Sequence, residues 1–360
     1  MAQLALKSIT KRFGEVVAVK DVSLAIHDRE FMVLLGPSGA GKTTTLRVVA
    51  GLEKPEKGAV LIGDEDVNGY TPAERNVAFV FQNYALYPFM TAYQNMAFPL
   101  KANPLPADII DQRVRDVART LQIEHLLQRK PSQLSGGEQQ RVALGRAMVR
   151  RPSAFLMDEP LTNLDAKLRT TMRSELRHLQ RDLGATTLYV THDQVEAMTM
   201  GDRIAVLRKG QLLQVGTPKE IYDRPLNTFV AGFVGHPAIS LLRCTIGDNT
   251  LAIDGTEQRL PLAGALARLT SRAPRREVIL GLRAEDVGVS TEQQPGSTPA
   301  EVYAVEPLGD RCIYDLRIGG VALRARTAPE FMLDQGARVW MTFNAARAHL
   351  FDAATEARIG

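Results

Sequence analysis

Apolar residues along the first 235 positions recur in two rhythms. LALKSIT and VVAVKDVSLAI alternate apolar with polar positions, the period of half-buried strands. Phe31 to Leu35 (FMVLL), Ala154 to Met157 (AFLM) and Thr187 to Val190 (TLYV) are short continuous apolar runs, each followed by polar residues and a helix-like segment. They predict buried strands. Leu168, Met172, Leu176, Leu179 and Leu183 recur at three- and four-residue spacing, one face of a helix, and Gly184 is its predicted stop. Ile204 to Leu207 and Leu212 to Val215 flank Lys209-Gly210 and predict a hairpin. Buried strands alternating with amphipathic helices predict a largely parallel central sheet with helices on both faces. Ligands bind such sheets beyond the carboxyl ends of the strands.

From about residue 240 long helical periodicity disappears. LLRCTI, NTLAID, EVILGLRAEDVGV, AEVYAVEPLG, RCIYDLRI, VALRART and RVWMTFN are short alternating segments. They predict a small all-β barrel or sandwich. STEQQPGSTPA is polar and contains Pro and Gly, so it reads as a surface connection. The expected domains are 1–235, with a helical subdomain at about 85–150, and 236–360.

Composition narrows the functional classes. The chain has 360 residues, 45% hydrophobic and 23% charged, which excludes disordered and fibrous classes. Cys244 and Cys312 cannot form a disulfide framework and show no metal-ligand spacing; the six histidines are scattered. No stretch approaches 18 apolar residues, and MAQLALKSITKRF lacks the apolar core of a signal peptide, so a soluble chain made in the cytoplasm is expected. The net charge of +4 is spread among interleaved acids and bases, which favours a solvated surface over a nucleic-acid patch.

Gly36-Pro37-Ser38-Gly39-Ala40-Gly41-Lys42-Thr43 fits G-x-x-x-x-G-K-[ST] after a buried strand and before a helix, the context a phosphate-binding loop requires. Its glycines let backbone N–H groups approach phosphate oxygens, and the helix start adds a positive dipole end. Ser38, Gly39, Ala40, Gly41 and Thr44 are therefore candidate ATP contacts, beside Lys42 as a mobile cation and Thr43 as a Mg²⁺ ligand. Ala154 to Met157 runs into Asp158 and Glu159. Asp158 is expected to hold Mg²⁺, and Glu159 to polarise the attacking water.

Leu134-Ser135-Gly136-Gly137-Glu138-Gln139-Gln140-Arg141 resembles the LSGGQ signature of ABC-type ATPases. Ser135, Gly136 and Gly137 at a helix start would form a second phosphate clamp. The resemblance implies an α/β P-loop NTPase fold with an antiparallel N-terminal β part and a helical subdomain. It also implies a head-to-tail dimer with a second copy, each ATP lying between one phosphate loop and the opposite signature. Further elements match in order. Gln82 in VFQ resembles the Q-loop residue that contacts Mg²⁺ and water. Asp165 in LTNLD resembles the D-loop, and His192 in THD the H-loop residue that bonds the γ-phosphate. Phe13 in KRFGE falls where the family has an aromatic that stacks on adenine.

FQNYALYPFMTAYQNMAFPL and DEPLTNLDAKLR resemble the carbohydrate-importer (MalK/UgpC-like) branch, the maltose and glycerol-phosphate type. Phe89 stands where that branch usually has His, Thr162 replaces the common Ser, Ala40 a common Cys and Gln94 a common Glu. None removes a catalytic group, and Phe89 bears on partner identity. GLRAEDV and VEPLGD resemble the regulatory TOBE module, an OB-like β-barrel. The implied partners are two permease subunits, indirectly a solute-binding protein, and a regulatory protein at the C-terminal domain, with no nucleic acid. The implied location is peripheral, at the cytoplasmic face of the inner membrane. Importers of polyamines or ferric iron have similar ATPases and stay open as alternatives. A soluble ABC ATPase acting on nucleic acid or ribosomes, or a regulator with a decayed site, fits less well: one phosphate loop, one signature and every catalytic group are present.

Overall fold

The alternating segments at the start of the chain pair antiparallel as β1 (Leu4–Phe13) and β2 (Val16–Ile26), joined by a turn in which Gly14 takes a left-handed φ of 55°. The computed structural model describes residues 2–101, 105–262 and 264–360. Five buried residues then form β3 (Phe31–Leu35), which runs into α1 (Lys42–Ala50). β3 lies between parallel strands on both sides, so every side chain faces protein and the run is continuously apolar rather than alternating.

The next elements are β4 (Lys57–Ile62), β5 (Glu65–Asp66), β6 (Val77–Val80), α2 (Ala92–Ala97), α3 (Ala107–Thr120) and α4 (Gly136–Met148). They are followed by β7 (Ala154–Asp158), α5 (Ala166–Leu183), β8 (Thr187–Thr191), α6 (Gln194–Met200), β9 (Arg203–Arg208) and β10 (Gln211–Gly216). Among the described residues, one sheet has the order β10-β9-β3-β8-β7-β6, parallel except for the β9–β10 hairpin. A second, antiparallel sheet has the order β2-β1-β4-β5. Leu6, Ile9, Val22, Leu34, Leu46, Leu156 and Leu188 belong to one shared core. α5 follows the predicted periodicity: Met172 and Leu176 are buried, and Gly184 closes the helix at φ 56°. The carboxyl ends of β3, β7 and β8 carry the phosphate loop, Asp158 and the segment to His192.

The chain divides into two compact units after Pro218, earlier than residue 235. α7 (Pro218–Asp223) and α8 (Thr228–Phe233) lead into the second unit. Arg283, a cation 2% exposed, ties them to it by donating to the carbonyls of Tyr222, Ala231 and Val234 and stacking over the Tyr222 ring.

The second unit continues through β11 (Ser240–Ile246), β12 (Thr250–Ile253), β13 (Arg259–Pro261), α9 (Gly264–Thr270), β14 (Glu277–Leu282) and β15 (Val287–Ser290). β16 (Thr298–Pro307), β17 (Cys312–Ile318), β18 (Val321–Thr327), β19 (Arg338–Phe343) and β20 (His349–Asp352) complete it. Among the described residues these strands make two five-stranded antiparallel sheets around Leu242, Leu280, Val302, Tyr314 and Leu350. The expected run EVILGLRAEDVGV breaks into β14 and β15 at a single turn, Ala284–Asp286, and α9 stands where no helix is expected. No helix among the described residues is long and apolar enough to cross a membrane.

Candidate active site

The phosphate loop owes its shape to two glycines. Gly41 has φ 96° and caps α1, and a Cβ there would overlap the Ala18 carbonyl oxygen; one at Gly36 would overlap that of Leu207. Ser38 and Gly39 are exposed, Thr44 is half-buried on the first turn of α1, and Ala40 is buried with its N–H donated to Pro37 O at 3.2 Å. Lys42, 5% exposed, donates from Nζ to Gly36 O at 2.9 Å and Pro37 O at 3.1 Å. Its Nζ also lies 3.6 Å from Glu159 Oε1. Burial pulls its pKa below the usual lysine value, and the charge of Glu159 opposes that pull.

Thr43 Oγ1 donates to Asp158 Oδ1 at 2.9 Å, joining the start of α1 to the end of β7. Burial raises the Asp158 carboxyl above its ordinary value, and the Thr43 hydrogen bond offsets part of that rise. A hydroxyl and a carboxylate side by side, at the edge of a phosphate loop, are hard oxygen donors that suit Mg²⁺.

Glu159 has a left-handed φ of 45°, a conformation costing an L-residue roughly 1–2 kcal/mol. Its N–H is bound to Val190 O at 3.0 Å, which fixes the residue at the sheet end. The carboxylate is then shared. Oε1 faces Lys42, while Oε2 lies 2.8 Å from His192 Nδ1 and accepts from Thr162 Oγ1 at 3.3 Å. His192 is half-exposed, but the chain around it is pinned. Buried Glu196 accepts from Tyr189 Oη at 2.9 Å and Thr191 Oγ1 at 2.7 Å, and Asp193 Oδ1 caps α6 through Val195 N and Glu196 N.

The structure thus gathers Lys42, Thr43, Asp158, Glu159 and His192. Gln82 is tied to the segment after Glu159 and not directly to these five: its carbonyl accepts from Asn163 Nδ2 at 2.9 Å while its side chain is exposed. Phe13 stands 46% exposed at the end of β1 with Lys11 Nζ 5.0 Å from its ring centroid, an open aromatic face outside the core. Ser135 caps α4 in a reciprocal box with Glu138. Gly136 and Gly137 pack against Leu164 and Leu168, and among the described residues no hydrogen bond joins the signature to its own chain's phosphate loop. Asp165 serves here as the cap of α5, accepting from Leu168 N at 2.9 Å.

Sequence reasoning missed the supports. Thr162 bonds the Glu159 carboxylate, Asn163 holds Gln82, and Arg169 donates to Leu164 O at 2.9 Å and lies 3.9 Å from Asp193. The three-residue spacing of Glu159 and Thr162, that of a single turn, is the one signal the sequence carries for them.

Residues 19–162 match the ABC transporter family model, and residues 280–351 match the TOBE domain. Over 99% of both chains, the protein is 51% identical to the trehalose/maltose import ATP-binding protein MalK of Thermococcus litoralis. The chain belongs to the ATP-binding subunits of ABC importers. This ABC ATPase is also 47% identical, over the full length of both chains, to the sulfoquinovosyl glycerol transport ATP-binding protein SmoE of Agrobacterium fabrum. It is 48% identical to the xylose/arabinose import ATP-binding protein XacK of Haloferax volcanii, covering 99% of this chain and 94% of that one. Among solved structures it resembles a dimeric ATP-binding cassette in a post-hydrolysis state with ADP and Pi, at TM-score 0.54 and 34% identity, over 60% of this chain and 98% of that one. The protein therefore binds and hydrolyses ATP to energise import, and both expected fold classes, cassette and TOBE, are present.

Proposed function

We propose that this ATPase drives uptake of a carbohydrate or a related polyhydroxylated solute, as one of two copies docked beneath two permeases at the cytoplasmic face of the membrane. The observation that carries the solute class is the full-length identity to subunits named for trehalose/maltose, sulfoquinovosyl glycerol and xylose/arabinose. That match spans the TOBE unit as well as the cassette, and the names these relatives carry favour a sugar over a polyamine or ferric iron.

In this reading Lys42 and the loop N–H groups bind the outer phosphates of ATP, and Phe13 stacks on the adenine. Thr43 and Asp158, with Gln82, hold a Mg²⁺ ion, whose chemical contribution is to neutralise phosphate charge. Glu159, oriented by Thr162, takes a proton from the attacking water, and His192 bonds the γ-phosphate. The signature residues Ser135, Gly136 and Gly137, with Asp165, complete the site of the opposite copy, consistent with the lack, among the described residues, of hydrogen bonds from them to the phosphate loop of their own chain. A groove of about 590 Å³ beside Gln82, lined by the exposed aromatics Phe81, Tyr87 and Phe98, receives a short helix of a permease. Phe89, 88% exposed and two positions after the groove residue Tyr87, contributes to partner choice. The TOBE unit serves self-association or a regulatory protein.

The test is to purify the protein with its membrane partners and solute-binding protein, and to assay ATP turnover in vesicles against sugars, glycosyl-glycerols, a polyamine and ferric iron. Stimulation by a sugar or glycosyl-glycerol supports the reading; stimulation by polyamine or iron alone overturns it.

A further inference from the structure

Tyr84 and Ala85 occupy consecutive left-handed conformations, φ 60° and 47°, directly after the Gln82 segment. Neither is glycine, and such a conformation costs an L-residue roughly 1–2 kcal/mol. Persistence of the strain requires surroundings that over-determine it. The turn's own backbone supplies part of them, Tyr84 N–H donating to Phe81 O at 3.0 Å and Ala85 N–H to Asn83 O at 2.6 Å, and one side chain adds to them. Arg146 donates from Nη2 to Tyr84 O at 2.8 Å and from Nη1 to Ala85 O at 2.6 Å, and its guanidinium lies 5.7 Å from the Tyr87 ring centroid. A planar fork fits two successive carbonyls in a way a point-charge ammonium does not. Among the described residues Arg146 forms no ion pair: carbonyl dipoles and an aromatic ring surround its charge.

Arg146 sits on α4, the helix whose first turn carries Ser135, Gly136 and Gly137. At the other end of the same short stretch, Asn163 Nδ2 holds the Gln82 carbonyl, and Asn163 follows Thr162, which bonds Glu159. Residues 82–85 are therefore held from one side by the loop that positions the catalytic carboxylate and from the other by the signature helix. Arg146 and Ala85 also line the 590 Å³ groove, so a segment seated there touches the clamp directly.

We propose that Arg146 is a positioning residue for ATP hydrolysis: its fork locks the left-handed Tyr84–Ala85 turn to the signature helix, so that the Gln82 segment and the signature move as one body. The role lies in turnover, not in nucleotide affinity, because Lys42 and Thr43 make no contact with Arg146.

The test uses the full-length chain and a double-mutant cycle of Arg146→Ala and Ala85→Gly, reading kcat, KM for ATP and Tm. Arg146→Ala should lower kcat about tenfold, the scale of a lost coupling contact, with KM within about twofold of the parent. Glycine takes a left-handed φ without a Cβ penalty, so Ala85→Gly in that background should restore kcat by about threefold or more, although no lost hydrogen bond returns. A residue that merely stabilises α4 would lower Tm and gain nothing from Ala85→Gly. Wild-type kcat in Arg146→Ala, or a loss that Ala85→Gly leaves unchanged, overturns the proposal. Should Arg146→Ala fail to fold, Arg146→Gln carries the same cycle with the same two outcomes.

Discussion

Oε2 of Glu159 lies 2.8 Å from Nδ1 of His192, across 33 residues of sequence, and the other oxygen of that carboxylate lies 3.6 Å from Lys42 Nζ. Glu159 is thus the junction of three elements, the phosphate loop, the end of β7 and the segment after β8. Its left-handed backbone turns the carboxylate toward them. His192→Ala removes one arm and leaves Lys42, Thr43 and Asp158 in place. ATP affinity should change little, and kcat should fall about 10²-fold, the scale for losing a positioned polar group. Single-turnover kinetics beside equilibrium nucleotide binding separate the two effects.

Lys42→Ala should both weaken ATP binding and nearly abolish hydrolysis. The ammonium leaves behind the carbonyls of Gly36 and Pro37 and takes the cation away from Oε1 of Glu159, whose Oε2 keeps His192 and Thr162. A fluorescent-nucleotide titration should show the weakened affinity, and turnover near the parent value would remove Lys42 from the phosphate site.

Asp158 links stability to pH. Burial raises its carboxyl pKa in the folded chain, so the folded state holds that proton more tightly than the unfolded chain does. Its contribution to stability is present below the unfolded value and lost as pH rises through the folded value. Asp158→Asn keeps an acceptor for Thr43 and removes the titration. The Tm of the ligand-free variant should therefore decline less than the parent's from about pH 4 to 7. Mg²⁺-ATP is expected to raise the Tm of the parent by more than it raises that of the variant. Equal pH slopes in the two proteins would show that Asp158 carries no such linkage.

Gly137→Asp tests the signature. A Cβ at Gly137 already comes within 3.1 Å of Leu168 Cδ2, so that side chain must shift. The added carboxylate would also set a negative charge in the first turn of α4, at the clamp proposed for the opposite copy's phosphates. ATP binding to the single chain should persist while ATP-dependent dimerisation is lost; sedimentation velocity with and without Mg²⁺-ATP reads both.

Much of this site was legible because its chemistry is local. The phosphate loop is one contiguous segment between a buried strand and a helix, and Asp158-Glu159 and Thr191-His192 each end an apolar strand. The hairpin at Lys209-Gly210 and the α5 stripe follow from periodicity. What escaped notice is carried by contacts between distant residues. Arg146 meets Tyr84 across 62 positions, Asn163 meets Gln82 across 81, and neither pairing leaves a pattern in either segment. The placement of β3 between β8 and β9 is likewise long-range. Buried Arg283 likewise ties Tyr222 to the second unit by holding its carbonyl, 61 residues earlier in the sequence.

Glu159→Gln tests the central claim most directly. The substitution keeps the size of the side chain and its hydrogen bonding to Thr162 and His192, and removes its charge and basicity. Lys42, Thr43 and Asp158 are untouched, so nucleotide affinity should survive. Hydrolysis should fall by about 10²-fold or more, the usual scale for losing a positioned base. One source of repulsion facing the γ-phosphate also disappears, which favours the closed pair. Size-exclusion chromatography in Mg²⁺-ATP should therefore show a stable ATP-bound dimer. Lost ATP binding with normal turnover per bound nucleotide, or a monomer that hydrolyses ATP at the parent rate, would contradict the account.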